Sequence, residues 1–223
     1  MEITLLEKLL NFGLINGYFF ITEIGNLDKS CCPNLKTKVI DFDKTEEIHR
    51  SKHNYQNLKS CDALKILDKL KRIDFIEMKG FKQFINWQLK GSIPIDNQVI
   101  GKIYEFDFIS KIRDSIIILN NIVLSKSFNI SGKEQKLFHK ISKNFIILTD
   151  IDIQQNPIEH ITISLTFLSQ TSSKIEYKIS ELLEKEVNQL DVRSFDNIQS
   201  PILLSCKNFD EFYKTIKNAD NMV

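Results

Sequence analysis

The chain has 223 residues, of which 42% are hydrophobic and 26% are charged, and these proportions are typical of an ordinary globular protein. The formal net charge of +1 at pH 7 excludes a protein whose whole surface attracts nucleic acid, although a local basic cleft remains compatible with it. No run of about 18 apolar residues is present, and no basic segment followed by an apolar one stands near Met1, so neither a membrane span nor a signal peptide is predicted.

Periodicity predicts five elements before residue 60. In order they are a helix over 2–12, a strand over 17–24, a loop over 25–36, a strand over 39–42 and a helix over about 44–58. Asp43 and Glu46 are three residues apart, as in a capping box, which marks the start of the last of these helices.

The segment 62–71 is compatible with two kinds of element. Ala63, Ile66 and Leu70 would line one face of a helix, but the segment is equally suited to a strand. Residues 73–79 favour a strand, because the run is short, β-branched and aromatic and ends at Gly80. The two segments therefore form a hairpin only if the first is a strand.

The remainder of the chain mixes helices and strands without regular alternation. The pattern predicts, in order, helix 81–89, loop 92–97, helix 104–124, a break at 125–131, strand 145–148, loop 150–159, strand 160–167, helix 174–190, strand 202–204 and helix 208–219. This order indicates a mixed α/β (α+β) class with a central mixed β-sheet flanked by helices. We expect a single domain over 1–223, with a C-terminal α/β extension over about 151–223.

Four cysteines bear on the cellular compartment. Cys31 and Cys32 are adjacent, and neighbouring cysteines seldom bridge each other because the geometry is strained. Cys61 and Cys206 lie in apolar runs, where a free thiol behaves as a small hydrophobic group. No Cys-x-x-Cys pair occurs and the four histidines complete no zinc pattern. We therefore expect reduced thiols and a cytoplasmic protein.

The three residues best suited to catalysis are Asp62, Glu77 and Lys79. Asp62 begins one apolar segment, and Glu77 and Lys79 end the next one. Because side chains alternate along a strand, Glu77 and Lys79 would share a face while Met78 points into the core. Two carboxylates at adjacent strand ends could hold Mg²⁺ against a phosphate, and the lysine could position the attacking water or stabilise charge on the phosphate.

The strings Ser60-Cys61-Asp62-Ala63-Leu64 and Phe75-Ile76-Glu77-Met78-Lys79-Gly80 resemble the core of the PD-(D/E)XK nuclease superfamily, which has the restriction-endonuclease-like fold. Members carry an acidic residue on one strand of a β-hairpin and (D/E)-x-K on the next. A helix and a buried strand follow, here predicted at 104–124 and 145–149. The resemblance covers about 37–150.

The resemblance implies a metal-dependent endonuclease that hydrolyses phosphodiester bonds. DNA is the expected substrate, with RNA as the open alternative. It implies that Asp62 and Glu77 hold Mg²⁺, with Mn²⁺ as the alternative ion, and that Lys79 is the catalytic lysine. The expected partners are nucleic acid and either a second copy of the chain or a larger defence or repair complex, with no membrane partner.

Two features depart from the superfamily pattern or leave it incomplete. The residue before Asp62 is Cys61, where many members have proline. Many members also carry a glutamate on the first core helix, and Glu7, Glu46 and Glu47 are open candidates for that position.

Other charged residues are interpreted more simply. Lys111 and Arg113 could contact a phosphate backbone, but a solvated helix face with an i,i+3 pair between Lys111 and Asp114 is the favoured interpretation. His49 and His53 are spaced for one helix face, yet no third ligand stands between them, and we predict no metal site there.

Two alternatives to the nuclease remain open. A nuclease-like fold could serve as a non-catalytic binding or assembly subunit of a larger nucleic-acid-processing or anti-phage system, which the near-neutral charge and the lack of an added DNA-binding motif favour. The chain could also be an α+β protein with no active site.

Overall fold

The computed structural model describes residues 3–28, 30–53, 58–88, 95–153, 171–192, 195 and 197–220. Its strands are β1 (Ile21–Glu23), β2 (Lys38–Asp41), β3 (Ala63–Leu67), β4 (Arg72–Lys79), β5 (Ser142–Thr149) and β6 (Ile202–Ser205). Its α-helices are α1 (Leu5–Ile15), α2 (Phe42–His53), α3 (Lys82–Gln88), α4 (Ile95–Glu105), α5 (Phe108–Val123), α6 (Gly132–His139), α7 (Thr171–Gln189) and α8 (Cys206–Asp220).

The strands form one six-stranded mixed sheet in the order β1-β2-β3-β4-β5-β6. Strands β1 to β4 pair antiparallel in chain order. The strand β4 then pairs parallel with β5, and β5 pairs parallel with β6. Helices connect the parallel strands, as parallel pairing requires. The predicted α/β class with a central mixed sheet and flanking helices is confirmed.

The sheet has a core on each face. One cluster includes Leu64, Phe75 and Ile147 with the apolar sides of α1 and α5, and the other includes Ile76 and Ile146 with the apolar side of α8. Each fully buried side chain of this kind contributes roughly 1.5–3 kcal/mol. Because successive residues of β4 enter opposite clusters, its odd-numbered residues from Ile73 onward face α5.

Strand pairing decides the ambiguous segment 62–71. Ala63 lies opposite Ile76, and the antiparallel register continues to Leu67 opposite Arg72. The turn closes with Lys71 in the left-handed region at φ 48°. The segment is therefore the strand of a hairpin, although its apolar spacing would also suit a helix.

Several predicted boundaries are wrong. The helix α2 starts at Phe42, and Asp41 rather than Asp43 accepts the N–H of Lys44 at 3.1 Å, so the predicted capping box does not form. The predicted helix 104–124 begins at Phe108, because Asp107, at φ 47°, ends the preceding turn and accepts the N–H of Ser110.

Two helices of the structure were not predicted, and one predicted strand falls outside the described residues. The helix α4 covers part of the predicted loop 92–97 and extends to Glu105, and α6 follows the predicted break at 125–131. A capping box between Ser131 and Glu134 starts α6. The predicted strand 160–167 lies outside the described residues. No helix within the described ranges is long and apolar enough to cross a membrane.

The prediction of four reduced thiols is wrong for one pair. Cys32 and Cys206 form a disulfide, with their Cα atoms 5.6 Å apart, which is an ordinary separation for such a bond. The sequence offers no local signal for this pair, because 174 residues separate the two cysteines.

A buried ionic group joins β4 to α8. Asp74 has no exposed surface, and Arg72 contacts both of its oxygens, at 2.8 Å and 2.9 Å. The hydroxyl of Tyr213 donates to the same carboxylate at 2.9 Å. Burial raises the pKa of Asp74, whereas the Arg72 guanidinium lowers it. Both oxygens of Asp74 therefore contact a partner, although only Oδ2 accepts hydrogen bonds of regular geometry.

We expect Tyr213→Phe to lower the free energy of unfolding by about 1.5–3 kcal/mol, because the variant removes a hydrogen bond to a buried charge. Urea denaturation followed by circular dichroism measures the change. Tyr104→Phe is the matched control, since Tyr104 is 65% exposed, and it should change stability by less than about 0.5 kcal/mol. Equal effects of the two variants would contradict this role for Tyr213.

Candidate active site

Glu77 is a carboxylate with no exposed surface, near the end of the central strand β4. Strand alternation turns Glu77 and Lys79 to the same face of the sheet, the face covered by α5. Met78 points to the opposite face and packs in the core beneath α8. The predicted division of these three side chains between the two faces is confirmed.

Two lysines contact one oxygen of Glu77. Lys111 of α5 places its Nζ 2.6 Å from Oε1 of Glu77, and Lys79 forms an ion pair with the same oxygen. The predicted solvated position of Lys111, paired with Asp114, is wrong. Asp114 instead pairs with Arg113 at 2.9 Å, and Lys111 reaches across to the sheet.

Neither oxygen of Glu77 has a hydrogen bond of regular geometry. Both are buried and, among the described residues, neither accepts one, although Oε1 lies against the two ammonium groups. Leaving a buried acceptor unsatisfied costs about 1–3 kcal/mol, and more where the group is charged. Such an orphaned oxygen beside another carboxylate is suited to a cation.

Asp62 lies beside Glu77 because of the hairpin register. It immediately precedes β3, whose first residue, Ala63, pairs with Ile76. Its Oδ2 accepts the N–H of Met78 at 2.5 Å. The structure thus brings Asp62, Glu77 and Lys79 together at one end of the hairpin.

The helix α5 also accepts two hydrogen bonds from the backbone just before Asp62. The N–H of Cys61 donates to Oγ of Ser115 at 2.8 Å, and the N–H of Lys59 donates to Oδ2 of Asp114 at 3.0 Å. One helix therefore determines the position of both Lys111 and Asp62.

The electrostatics of the site centre on Glu77. Burial and the nearby charge of Asp62 raise the pKa of Glu77 to about 7, against the lowering effect of Lys79 and Lys111. Burial lowers the pKa of Lys111, but the charges of Glu77 and Asp62 outweigh burial and the net shift is upward. Near pH 7 both the protonated and the ionised form of Glu77 are therefore populated, while Lys111 stays charged.

Asp43, a further acidic residue near Asp62, was missed by the sequence analysis. It is in the first turn of α2, and it accepts the hydroxyl of Ser60 at 2.5 Å. Desolvation raises the pKa of Asp43, the Ser60 hydrogen bond lowers it, and the charge of Asp62 raises it further. The available signal was its position directly after a buried strand, which was interpreted as a helix cap.

The open glutamate candidates lie elsewhere. Glu46 pairs with Arg50 at 3.3 Å, and Glu47 lines a cleft that adjoins Asp62. Glu7 lies in the first turn of α1, where its N–H donates to Thr4. Among the acidic residues of α2, Asp43 is thus the one that interacts with Asp62.

A cleft of about 590 Å³ adjoins Asp62. The ionisable residues that line it are Asp28, Asp41, Asp43, Lys44, Glu46, Glu47, Arg50, Lys59 and Asp62. Six of these are acidic and three are basic, so the cleft has a negative lining rather than the basic rim that would attract a nucleic-acid backbone.

Asp62 and Glu77 fit a hard divalent cation. Mg²⁺ takes one or two carboxylates and completes its coordination with water, and the orphaned Oε2 of Glu77 offers a ligand atom. No third acidic group joins them closely, because the only group of three potential ligands within 4.8 Å of one another among the described residues consists of cysteines. Two carboxylates and water are therefore the ligand set available here.

Comparisons of the chain with protein-family models, with curated proteins and with solved structures found no match. Function must be inferred from the residues of this site themselves.

The pH dependence of stability tests the environment of Glu77. Its pKa is about 7 in the folded chain and 4.5 ordinarily, so between these values the folded state binds more protons and stability falls as pH rises. Relative to Glu77→Gln, the wild type should lose on the order of 2 kcal/mol between pH 4.5 and pH 8. Urea titrations in EDTA measure the difference, with the exposed Glu47→Gln as control. A constant difference between wild type and Glu77→Gln across this range would refute the shift.

Proposed function

We propose that the protein is a metal-dependent nuclease that hydrolyses phosphodiester bonds, with DNA as its substrate. Asp62 and Glu77 hold Mg²⁺ or Mn²⁺, and Lys79 assists the attacking water. The observation that carries the proposal is the fully buried Glu77, which has the ammonium groups of Lys79 and Lys111 against its Oε1, no hydrogen bond to its Oε2 among the described residues, and Asp62 at its side.

Each residue has a role that its position supports. A bound divalent cation would polarise a phosphoryl oxygen and lower the pKa of a coordinated water. Asp62 and Glu77 would orient that cation, because the backbone of Met78 holds one of them and the lysines hold the other. Lys79 ends the strand and is the more exposed member of its ion pair, so its ammonium can direct a water or stabilise charge on the phosphate.

Lys111 is a positioning residue. Its side chain is 20% exposed, and it approaches Glu77 from α5 rather than from the strand. Its charge lowers the pKa of Glu77 and so favours the ionised carboxylate, against burial and the charge of Asp62, which favour the protonated carboxyl group. A protonated carboxyl group is a poor metal ligand.

The acidic cleft favours a second candidate function. A lining of six acidic and three basic residues repels a phosphate backbone unless cations screen it. A non-catalytic binding or assembly subunit of a larger nucleic-acid-processing or anti-phage complex needs no such approach of DNA. In that case a partner chain would supply the nucleic-acid contacts.

Cleavage of plasmid DNA by the purified protein tests the nuclease directly. With Mg²⁺ or Mn²⁺, Lys79→Met and Glu77→Gln should each lower the cleavage rate by roughly 100-fold or more, because each removes a group that stabilises the transition state or holds the cation. Lys36→Met is the matched control, since the exposed ammonium group of Lys36 pairs with Glu23, away from the candidate site. Wild-type rates in Lys79→Met or Glu77→Gln would refute the assigned site. A wild type that binds Mn²⁺ without cleaving DNA would support the non-catalytic alternative.

Metal affinity should depend on pH through Glu77. Below about pH 7 the carboxyl group is protonated, so Mn²⁺ affinity should rise by up to about tenfold per pH unit until this value is reached. Lys111→Met removes a charge that lowers the pKa of Glu77, so the pH midpoint of binding should move upward. Calorimetric titration at several pH values measures both effects, with Lys36→Met as control. An unmoved midpoint in Lys111→Met would contradict the positioning role.

A further inference from the structure

Two adjacent cysteines and a third from a distant part of the chain meet near the candidate active site. Cys31 and Cys32 lie in the loop before β2, and Cys206 is the first residue of α8, directly after β6. Their sulfur atoms all lie within 4.8 Å of one another. We call this group the cysteine cluster. Cys61, the remaining cysteine, is buried elsewhere in the core.

A disulfide accounts for only two of these sulfur atoms. The bond joins Cys32 to Cys206, yet Sγ of Cys31 lies 3.5 Å from Sγ of Cys32. Three thiolates on one tetrahedral Zn²⁺, with Zn–S distances of about 2.3 Å, stand roughly 3.8 Å apart. The spacing between Cys31 and Cys32 is close to that value, and reduction of the disulfide would free the other two sulfur atoms.

The surroundings of the cysteine cluster favour a cation. Cys31, Cys32 and Cys206 line a cavity of about 550 Å³ that also receives Asp150. The Asp150 carboxylate is held by the N–H groups of Phe81 and Lys82 at 2.6 Å and 3.2 Å. A fixed negative charge beside three sulfur atoms attracts a cation, and the cavity gives the ion an entry path and leaves a coordination position open. Burial and the same charge raise the pKa of the Cys31 thiol, so the bound ion has to displace its proton.

We propose that the reduced protein binds one soft divalent cation, Zn²⁺, through the thiolates of Cys31, Cys32 and Cys206, with the fourth position open to the cavity. A dithiol reductant converts the Cys32–Cys206 disulfide to two thiols and is itself oxidised to a disulfide, with the transfer of two electrons and two protons. Binding of Zn²⁺ to the three sulfur atoms then releases three protons.

The cysteine cluster lies against the end of the hairpin. A Cβ atom at Gly80 would stand 3.2 Å from Cβ of Cys31, so the loop with Cys31 packs directly on the residue after Lys79. Either the disulfide or the metal therefore ties this loop to the start of α8. This inference concerns separate residues and does not rest on the nuclease proposal.

Metal loading of the reduced full chain tests the proposal. The protein is reduced with dithiothreitol, desalted without oxygen, incubated with Zn²⁺ and freed of unbound ion. Elemental analysis should then find one Zn²⁺ per chain. Co²⁺ in its place should give the charge-transfer absorption of thiolate ligands. Cys31→Ser should bind the ion at least about tenfold more weakly, since it loses one of three thiolates. The matched control Cys61→Ala should bind as the wild type does.

Two further measurements keep the test independent of folding and of nuclease activity. Cys31→Ser retains the two cysteines of the disulfide, so formation of that bond on oxidation shows that the variant folds. Glu77→Gln should keep full Zn²⁺ binding in the reduced form, because Asp62 and Glu77 belong to the other site. Absence of stoichiometric Zn²⁺ in the reduced wild type, or wild-type affinity in Cys31→Ser, would overturn the proposal.

Discussion

The constraint on which the site depends is the burial of one carboxylate. Removing Glu77 from water costs several kcal/mol, which only close opposite charges can offset. Lys79 on the same strand and Lys111 on α5 both contact its Oε1. Lys111 lies on α5 and Glu77 lies near the end of β4. Their contact therefore requires α5 to pack over the end of β4.

The same helix places the other half of the site. Ser115 and Asp114 accept backbone N–H groups of the segment before β3, so Asp62 is held to α5 by contacts that do not involve its own side chain. The position of Lys111 and the position of Asp62 are therefore coupled. A change in the packing of α5 would move both groups relative to Glu77, and the site responds as one unit.

The strand 73–79 and the common face of Glu77 and Lys79 follow from patterns within a few residues, which the sequence displays. The sequence leaves the strand character of 62–71 open, and the pairing that decides it also brings Asp62 beside Glu77. The features that the sequence analysis missed depend on long-range contacts. Lys111 has a plausible local partner in Asp114, and only the packing of α5 on β4 shows that it contacts Glu77. The disulfide likewise joins residues 174 positions apart. The break before α5 depends on Asp107 adopting a left-handed conformation, which periodicity does not register.

The strand β4 carries two buried acidic residues, Asp74 and Glu77, whose carboxylates differ in their partners. Asp74 faces α8, and its Oδ2 accepts hydrogen bonds from both Arg72 and Tyr213. Glu77 faces α5, its nearest partners are the ammonium groups of Lys79 and Lys111, and neither of its oxygens accepts a hydrogen bond of regular geometry from the described residues. A carboxylate that serves only the fold gains from directed hydrogen bonds of the kind that Asp74 has. Their absence at Glu77 supports the proposal that Glu77, and not Asp74, holds a cation.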